Sequence, residues 1–312
     1  MFKFMFNFAE NRRYYFIFSG VLMAMTVLAM IASLVSVGAP FTLGVDFRGG
    51  TRFELQFEEP VTEEQVQSVF EDAGYGNLSI IALRGDNLQN AWQIRMEFVS
   101  PEEGQALTTA LDELSPLIPG TTQVVSVSPA VGKEVTLAAF GAILVAAVVI
   151  LIYIMLAFRQ VPNPFRYGAA AVTAMMHDLM VVFGFAAIAG MFLGWEVDAL
   201  FLTAVLTVAG FSLQDTIVMF DRIRENIGKR PLERYELIVN RSVLETMHRS
   251  FVTQLNAMFV MVAILLFGGV SIKPFIAVLF VGMLSGTYSS IFIAVPLLVS
   301  WEKGELPFVK GE

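Results

Sequence analysis

The sequence predicts a polytopic α-helical membrane protein: six transmembrane helices, with one extracytoplasmic βαββαβ ferredoxin-like domain between helices 1 and 2. Three observations lead there. Of the 312 residues, 56% are hydrophobic and only 15% are charged, whereas soluble domains are about a quarter charged. Six apolar runs, near 14–37, 135–158, 168–193, 199–220, 251–269 and 275–300, reach the roughly 20 residues that a helix needs to cross a bilayer. The basic residues collect in alternate loops, as topology signals do.

The first run follows Lys3, Arg12 and Arg13. It exceeds the roughly 7–15 apolar residues of a cleaved signal, so it reads as an uncleaved anchor. Arg159 and Arg166 lie between runs two and three. Between runs four and five, near 221–250, stand Arg222, Arg224, Lys229, Arg230, Arg234, Arg241 and Arg249. The opposite short loops hold Glu196 and Asp198, or Lys273 alone. This bias puts both termini in the cytoplasm. The chain then divides into a cytoplasmic N-terminus with helix 1 (1–37), an outer α+β domain (38–134), helices 2–6 (135–300) and a cytoplasmic tail (301–312).

Within the outer segment, TRFELQF alternates Phe53, Leu55 and Phe57 on one face, as a half-buried strand does. Thr62-Glu63-Glu64-Gln65 is a capping box, followed by a helical stripe of Val66, Val69 and Phe70. LSIIAL and AWQIRMEF read as strands, the second alternating Trp92, Ile94, Met96 and Phe98. Ser100-Pro101-Glu102-Glu103 starts a second helix with Leu107, Ala110, Leu111 and Leu114 on its face, and TTQVVSV ends the domain. Nothing in it looks catalytic.

Composition excludes several chemistries. There are no cysteines, so no disulfide, thiolate nucleophile or Cys-ligated metal is available. His177 and His248 are the only histidines. No phosphate-binding glycine loop and no basic patch interleaved with aromatics occurs. The expectation is therefore no cofactor, no metal, no nucleic acid and no chemical catalysis.

Charges inside the apolar runs carry the functional argument. Asp215 precedes the charged run that begins at Asp221 by six residues, which places it roughly 9 Å inside the membrane boundary. A charge there costs about 2.5–3.5 kcal/mol and usually marks an ion or proton path. The structural alternative is a carboxyl group bonded to Gln214 or Ser212. Ser242, Glu245, Arg249, Thr253 and Asn256 are spaced 3, 4, 4 and 3 apart, so they share a helical face. That spacing predicts Arg249 at the level of Asp215, where it would modulate proton affinity; snorkelling to headgroups is the alternative. His177-Asp178, about ten residues into run three, reads equally as a relay or as a buried packing pair. Gly282, Gly286, Ser290 and Ala294 recur every four residues in run six, a small-residue stripe for close helix packing. An intramembrane aspartyl dyad of Asp178 and Asp215 is disfavoured: such enzymes carry Gly-x-Gly-Asp, and Asp215 follows Phe-Ser-Leu-Gln.

The chain also resembles a known family. GVDFRGGT, with Gly44, Asp46, Gly49, Gly50 and Thr51, is similar to the signature shared by the SecD and SecF translocase subunits. FSLQDTIVMFDRIREN, containing Gln214, Asp215 and Thr216, and NRSVLETMHRSFVTQ resemble motifs of the SecF side. Gln214 stands where that family usually has Asn, and Gln254-Leu255-Asn256 replaces a run normally richer in Ser and Thr. The resemblance implies a subunit of the bacterial inner membrane, with residues 38–134 periplasmic. It would pair with SecD in a resistance-nodulation-division-like arrangement and act with SecYEG, SecA and YajC on exported preproteins. In that reading Asp215 carries the coupling ion, a proton or alternatively sodium. Arg249 modulates it, His177 and Asp178 assist, and Gln214, Thr216, Glu245, Thr253 and Asn256 supply supporting polarity. Two rivals are half of a proton-coupled small-molecule exporter and a non-coupled scaffold of the translocon.

Overall fold

The computed structural model describes residues 7–76, 78–85 and 88–305. Lys3 and residues 306–312 of the tail lie outside them. Among the described residues six helices are long and apolar enough to cross a membrane: α1 (Arg12–Val37), α5 (Pro129–Ala157), α6 (Pro164–Leu193), α7 (Ala199–Lys229), α8 (Tyr235–Phe267) and a sixth span, Lys273–Glu302. The sixth span is built of α9 (Lys273–Ser289), a π-helical segment (Ser290–Ala294) and α10 (Val295–Glu302). Pro296 at the start of α10 explains the widened turn, because proline lacks an N–H and crowds the carbonyl four residues back.

The chain forms two compact units: 1–42, 141–268 and 272–312 in one, 43–140 and 269–271 in the other. In the helical unit α6 packs on α1, α7 and α9, α7 packs on α8 and α9, and α9 packs on α8. Small residues set the closest approaches. A Cβ on Gly282 would stand 2.2 Å from Val208 Cγ2, and one on Gly286 would stand 3.2 Å from Ser212 Cα. The stripe read from the sequence therefore brings α9 against α7.

The second unit starts with a short helix α2 (Val45–Arg48), followed by β1 (Gly50–Gln56), α3 (Glu63–Asp72), β2 (Ser79–Gly85), β3 (Leu88–Met96), α4 (Pro101–Leu114) and β4 (Gln123–Val127). The four strands form one sheet in the order β2-β3-β1-β4, antiparallel throughout. Both helix starts carry complete capping boxes, Thr62 with Gln65 and Ser100 with Glu103. Phe53, Leu55, Phe57, Val66, Phe70, Ile94, Met96, Leu107 and Leu111 make the core. Phe98 falls beyond the end of β3 and is exposed, not part of the alternating inner face as expected. This unit runs past the expected limit of 134, because α5 begins at Pro129 and its first turns pack on the glycine motif. Gly132 approaches the Gly49 amide so closely that a Cβ would stand 2.8 Å from it, and the Thr136 hydroxyl donates to the Phe47 carbonyl at 3.1 Å.

Candidate functional site

The glycine motif is architectural. Gly49 and Gly50 adopt φ of 78° and 126°, backbone that a side chain rarely permits. A Cβ on Gly49 would stand 2.7 Å from Pro129 Cα, and one on Gly50 would stand 2.7 Å from the Met96 carbonyl. Gly44 caps α2 in an extended conformation and Asp46 sits in its first turn. Thr51 is buried; its Oγ1 pairs with Ser126 Oγ at 2.8 Å and accepts the Val99 amide at 3.1 Å. These residues lock the start of β1 to its neighbours.

The polar centre of the helical unit is built around Asp178, which is fully buried on α6. Its Oδ2 accepts hydroxyl protons from Ser212 on α7 and Ser289 on α9, each at 2.6 Å. Its Oδ1 accepts from Ser285 on α9 at 2.6 Å and meets His177 Nδ1 at 3.2 Å. A carboxylate offers about four acceptor positions, and here four partners fill them. Three helices therefore meet on one carboxyl group. Ser285 and Ser289 are the residues that sequence reasoning missed, and Ser212 bonds Asp178 rather than Asp215. His177 is buried, and its Nε2 has no partner among the described residues.

Asp215 on α7 is also buried, but its surroundings differ. Its Oδ2 accepts one hydrogen bond, from Gln254 Nε2 on α8 at 2.8 Å. The Oε1 atom of Gln254 is buried without a partner among the described residues, as is Ser250 Oγ one turn before it. Thr216 is buried and donates to the Ser212 carbonyl at 3.1 Å. Gln214 points outward and is exposed.

Arg249 is not beside Asp215. Gln254 marks the level of Asp215 on α8, and Arg249 lies five residues earlier. On an α-helix that is about 7.5 Å along the axis and roughly 140° around it. Arg249 is consequently exposed, and among the described residues its side chain has no partner. Thr253 and Asn256 share the exposed face; the Thr253 hydroxyl donates back to the Arg249 carbonyl at 3.0 Å. Glu245 sits at the charged end of α7 and α8, accepting from Arg222 Nε at 2.5 Å and Asn226 Nδ2 at 2.9 Å. The buried polar stripe of α8 is instead Ser242, Thr246, Ser250 and Gln254, spaced four apart. Of the expected face it keeps only Ser242. No cluster of three or more metal-ligating side chains occurs among the described residues.

Fold and centre define a multi-pass helical membrane protein with ionisable groups buried where helices α6–α9 meet. A family model described as protein export membrane protein SecD/SecF, C-terminal, matches residues 106–304, and one described as the SecD/SecF GG motif matches residues 35–61. The chain is 45% identical over 268 residues to protein translocase subunit SecF of Thermobaculum terrenum, covering 83% of this chain and 84% of the relative. It is 38% identical to SecF of Anaerolinea thermophila, covering 93% of each. Protein translocase subunit SecDF of Bacillus subtilis is 34% identical over 96% of this chain, which spans 38% of that longer protein. A crystal structure of SecDF from Thermus thermophilus, described as a translocon-associated membrane protein, is 29% identical with a TM-score of 0.78. The match covers 95% of this chain and 38% of that one. The chain belongs to the SecD/SecF family, on its SecF side.

Proposed function

We propose that the chain is a SecF-type accessory subunit of the Sec preprotein translocase, which pairs with SecD and uses the proton-motive force in late export. The observation that carries this reading is Asp215: a carboxyl group buried at membrane depth and held by one amide from a neighbouring helix. Such a group can take or release a proton as α8 moves against α7. One charge crossing about 100 mV supplies roughly 2.3 kcal/mol, enough to bias a two-state element by tens-fold. Sodium is the alternative coupling ion.

The partnership with SecD draws support from the fused SecDF relatives, of which this chain corresponds to one part. It also draws on the outward face of α7 and α8, where Gln214, Thr253 and Asn256 are exposed at about the level of Asp215. Polar side chains at that depth favour a protein neighbour over lipid. Arg249, on the same face, then meets the partner instead of Asp215 and modulates coupling from there. His177 and Asp178 support the centre. In this reading both termini are cytoplasmic, the β2-β3-β1-β4 unit is a ferredoxin-like periplasmic domain acting on emerging preprotein, and SecYEG, SecA and YajC complete the assembly in the inner membrane. The subunit performs no bond-making chemistry of its own.

The test compares Asp215→Asn with the unaltered chain in SecD-containing vesicles, assaying export with and without a proton gradient. The expected result is at least a tenfold loss of gradient-dependent export with the SecD complex intact. Full export by the variant would leave a scaffold.

A further inference from the structure

The outer sheet ends on a strand with nothing to close it. In the order β2-β3-β1-β4 the two edges are β2 and β4. An edge strand turns alternate N–H and C=O groups outward, and proteins blunt such edges with charges, proline or a bulge. β2 is interrupted by a register shift between Leu83 and Gly85. β4, Gln-Val-Val-Ser-Val, holds no charge and no proline, and its pairing with β1 runs from Gln123 to Val127 without a shift. Among the described residues no strand lies on its outer side.

A groove runs beside this edge. Val124 stands opposite Phe53, so its side chain is on the helix-covered face of the sheet, yet it is 40% exposed. The cause is Gly104 on α4, which presents no side chain there; a Cβ would stand 3.8 Å from Val124 Cγ1, in ordinary contact. Gly104, Gln105 and Thr108 of α4, with Val124 and Ser126 of β4, line a cleft of about 420 Å³, a volume typical of ligand sites. None of these side chains is charged. The Thr108 hydroxyl already donates to the Gly104 carbonyl at 2.8 Å, and Ser126 Oγ pairs with Thr51 Oγ1 at 2.8 Å. The cleft therefore selects by shape and asks for no particular polar group. Its flank is acidic: from Glu97 to Gly132 the chain carries Glu97, Glu102, Glu103, Asp112 and Glu113, and no lysine or arginine.

We propose that β4 and α4 form a docking groove for an extended segment of polypeptide, which joins the sheet as a fifth strand beside β4 and sets alternate small apolar side chains into the cleft. In strand addition of this kind main-chain hydrogen bonds supply the affinity, and the pockets beside the edge choose the side chains. A helix cannot dock this way, because its own N–H and C=O groups are bonded internally. The acidic flank favours an occupant that carries lysine or arginine. An exported chain that is still unfolded fits: its main chain is free, its sequence varies, and the groove reads little of it. The groove rests on the export reading for this natural occupant, but its chemistry is testable apart from it.

The test uses the full chain with SecD in nanodiscs and a fluorescein-labelled octapeptide, Lys-Thr-Val-Thr-Val-Ser-Val-Lys, with binding read by anisotropy. Val124→Lys puts a charge on the open edge at an exposed position and is expected to weaken binding at least tenfold. Ala82→Lys, at an exposed position of β2, is expected to change it less than twofold. The same peptide N-methylated at every internal residue keeps its side chains but loses those donors, and is expected to bind at least tenfold more weakly to the unaltered chain. Replacing both peptide lysines by glutamate is expected to weaken binding at least threefold. Equal binding of the N-methylated peptide, or equal loss in Val124→Lys and Ala82→Lys, would overturn strand addition at β4. Binding to this chain alone that disappears when SecD is present would assign the edge to SecD. Self-association abolished by Val124→Lys, without peptide binding, would assign it to a second copy. Either result overturns the proposal. Peptide binding needs no proton gradient, so its failure is distinct from full export by Asp215→Asn, which would sink the coupling reading and leave the groove standing.

Discussion

Asp178 and Asp215 are the same residue type, both nine-tenths or more buried, on adjacent helices of one bundle. Asp178 gathers three serine hydroxyls and an imidazole nitrogen from α6, α7 and α9. Among the described residues Asp215 has one amide partner, and that amide leaves its own oxygen unpaired. Both oxygens of Asp178 are occupied, so an added proton would have to displace a hydroxyl and loosen a three-helix junction. An added proton on Asp215 displaces at most one bond. Burial alone therefore does not tell the two carboxyl groups apart; the number of committed partners does, and under the proposed function it is what would separate an anchor from the coupling group.

The largest effect that would break this comparison is on stability at Asp178. Asp178→Ala leaves three buried hydroxyls without their acceptor, each worth about 1–3 kcal/mol when unsatisfied. Some of that is recovered as they turn to carbonyls one turn back, so a net loss of about 3 kcal/mol or more is expected. Denaturant unfolding of the purified SecD-paired chain measures it. Asp215→Asn keeps an acceptor for Gln254 and is expected to lose less than about 1 kcal/mol by the same measurement, while losing export as above. Equal destabilisation by the two substitutions would erase the distinction.

A smaller change sharpens it. Gly286 lies where α9 crosses α7, and a Cβ there would meet Ser212 Cα at 3.2 Å and Asp178 Oδ2 at 3.7 Å. Gly286→Ala presses on backbone next to the junction, and overpacking of this kind costs about 1–3 kcal/mol. The expected result is a loss near the lower end of that range, with gradient-dependent export reduced no more than the amount of folded chain. A disproportionate export loss would mean that Asp178 takes part in coupling and is more than an anchor.

Much of this was legible locally. The six apolar runs and both capping boxes each depend on residues within a few positions of one another, and the structure realises them. The contents of the polar centre were not. Ser285 and Ser289 are hydroxyls inside an apolar run, where nothing local separates a ligand for a carboxylate from a packing residue; only the approach permitted by Gly282 and Gly286 brings them to Asp178. On α8 the steps of 3, 4, 4 and 3 from Ser242 and the uniform steps of four both fit a helix. They begin on the same residue and diverge by less than half a turn, yet one choice leads to exposed Arg249 and the other to buried Gln254. Which face is buried is a property of the neighbours, and a single sequence does not carry it.

The smallest effect belongs to an exposed carboxylate, where partner number matters least. Glu103 closes the capping box of α4, accepting from the Ser100 amide at 2.8 Å and the Ser100 hydroxyl at 2.9 Å. The Ser100 amide first, and its hydroxyl second, hold the Glu103 carboxyl below the ordinary glutamate value. A depressed folded-state value means the contribution is fully present above the ordinary value and disappears as pH falls through the lower one. Ser100→Ala removes the reciprocal bond, a loss of about 1 kcal/mol, or roughly fivefold in local opening. Exchange of the Glu103 amide in the full chain is expected to accelerate by about that factor at neutral pH. The gap between variant and unaltered chain should narrow in acid, as protonation weakens the Glu103 half of the box. A gap independent of pH would mean that the Ser100 hydroxyl alone caps the helix and the carboxylate adds nothing.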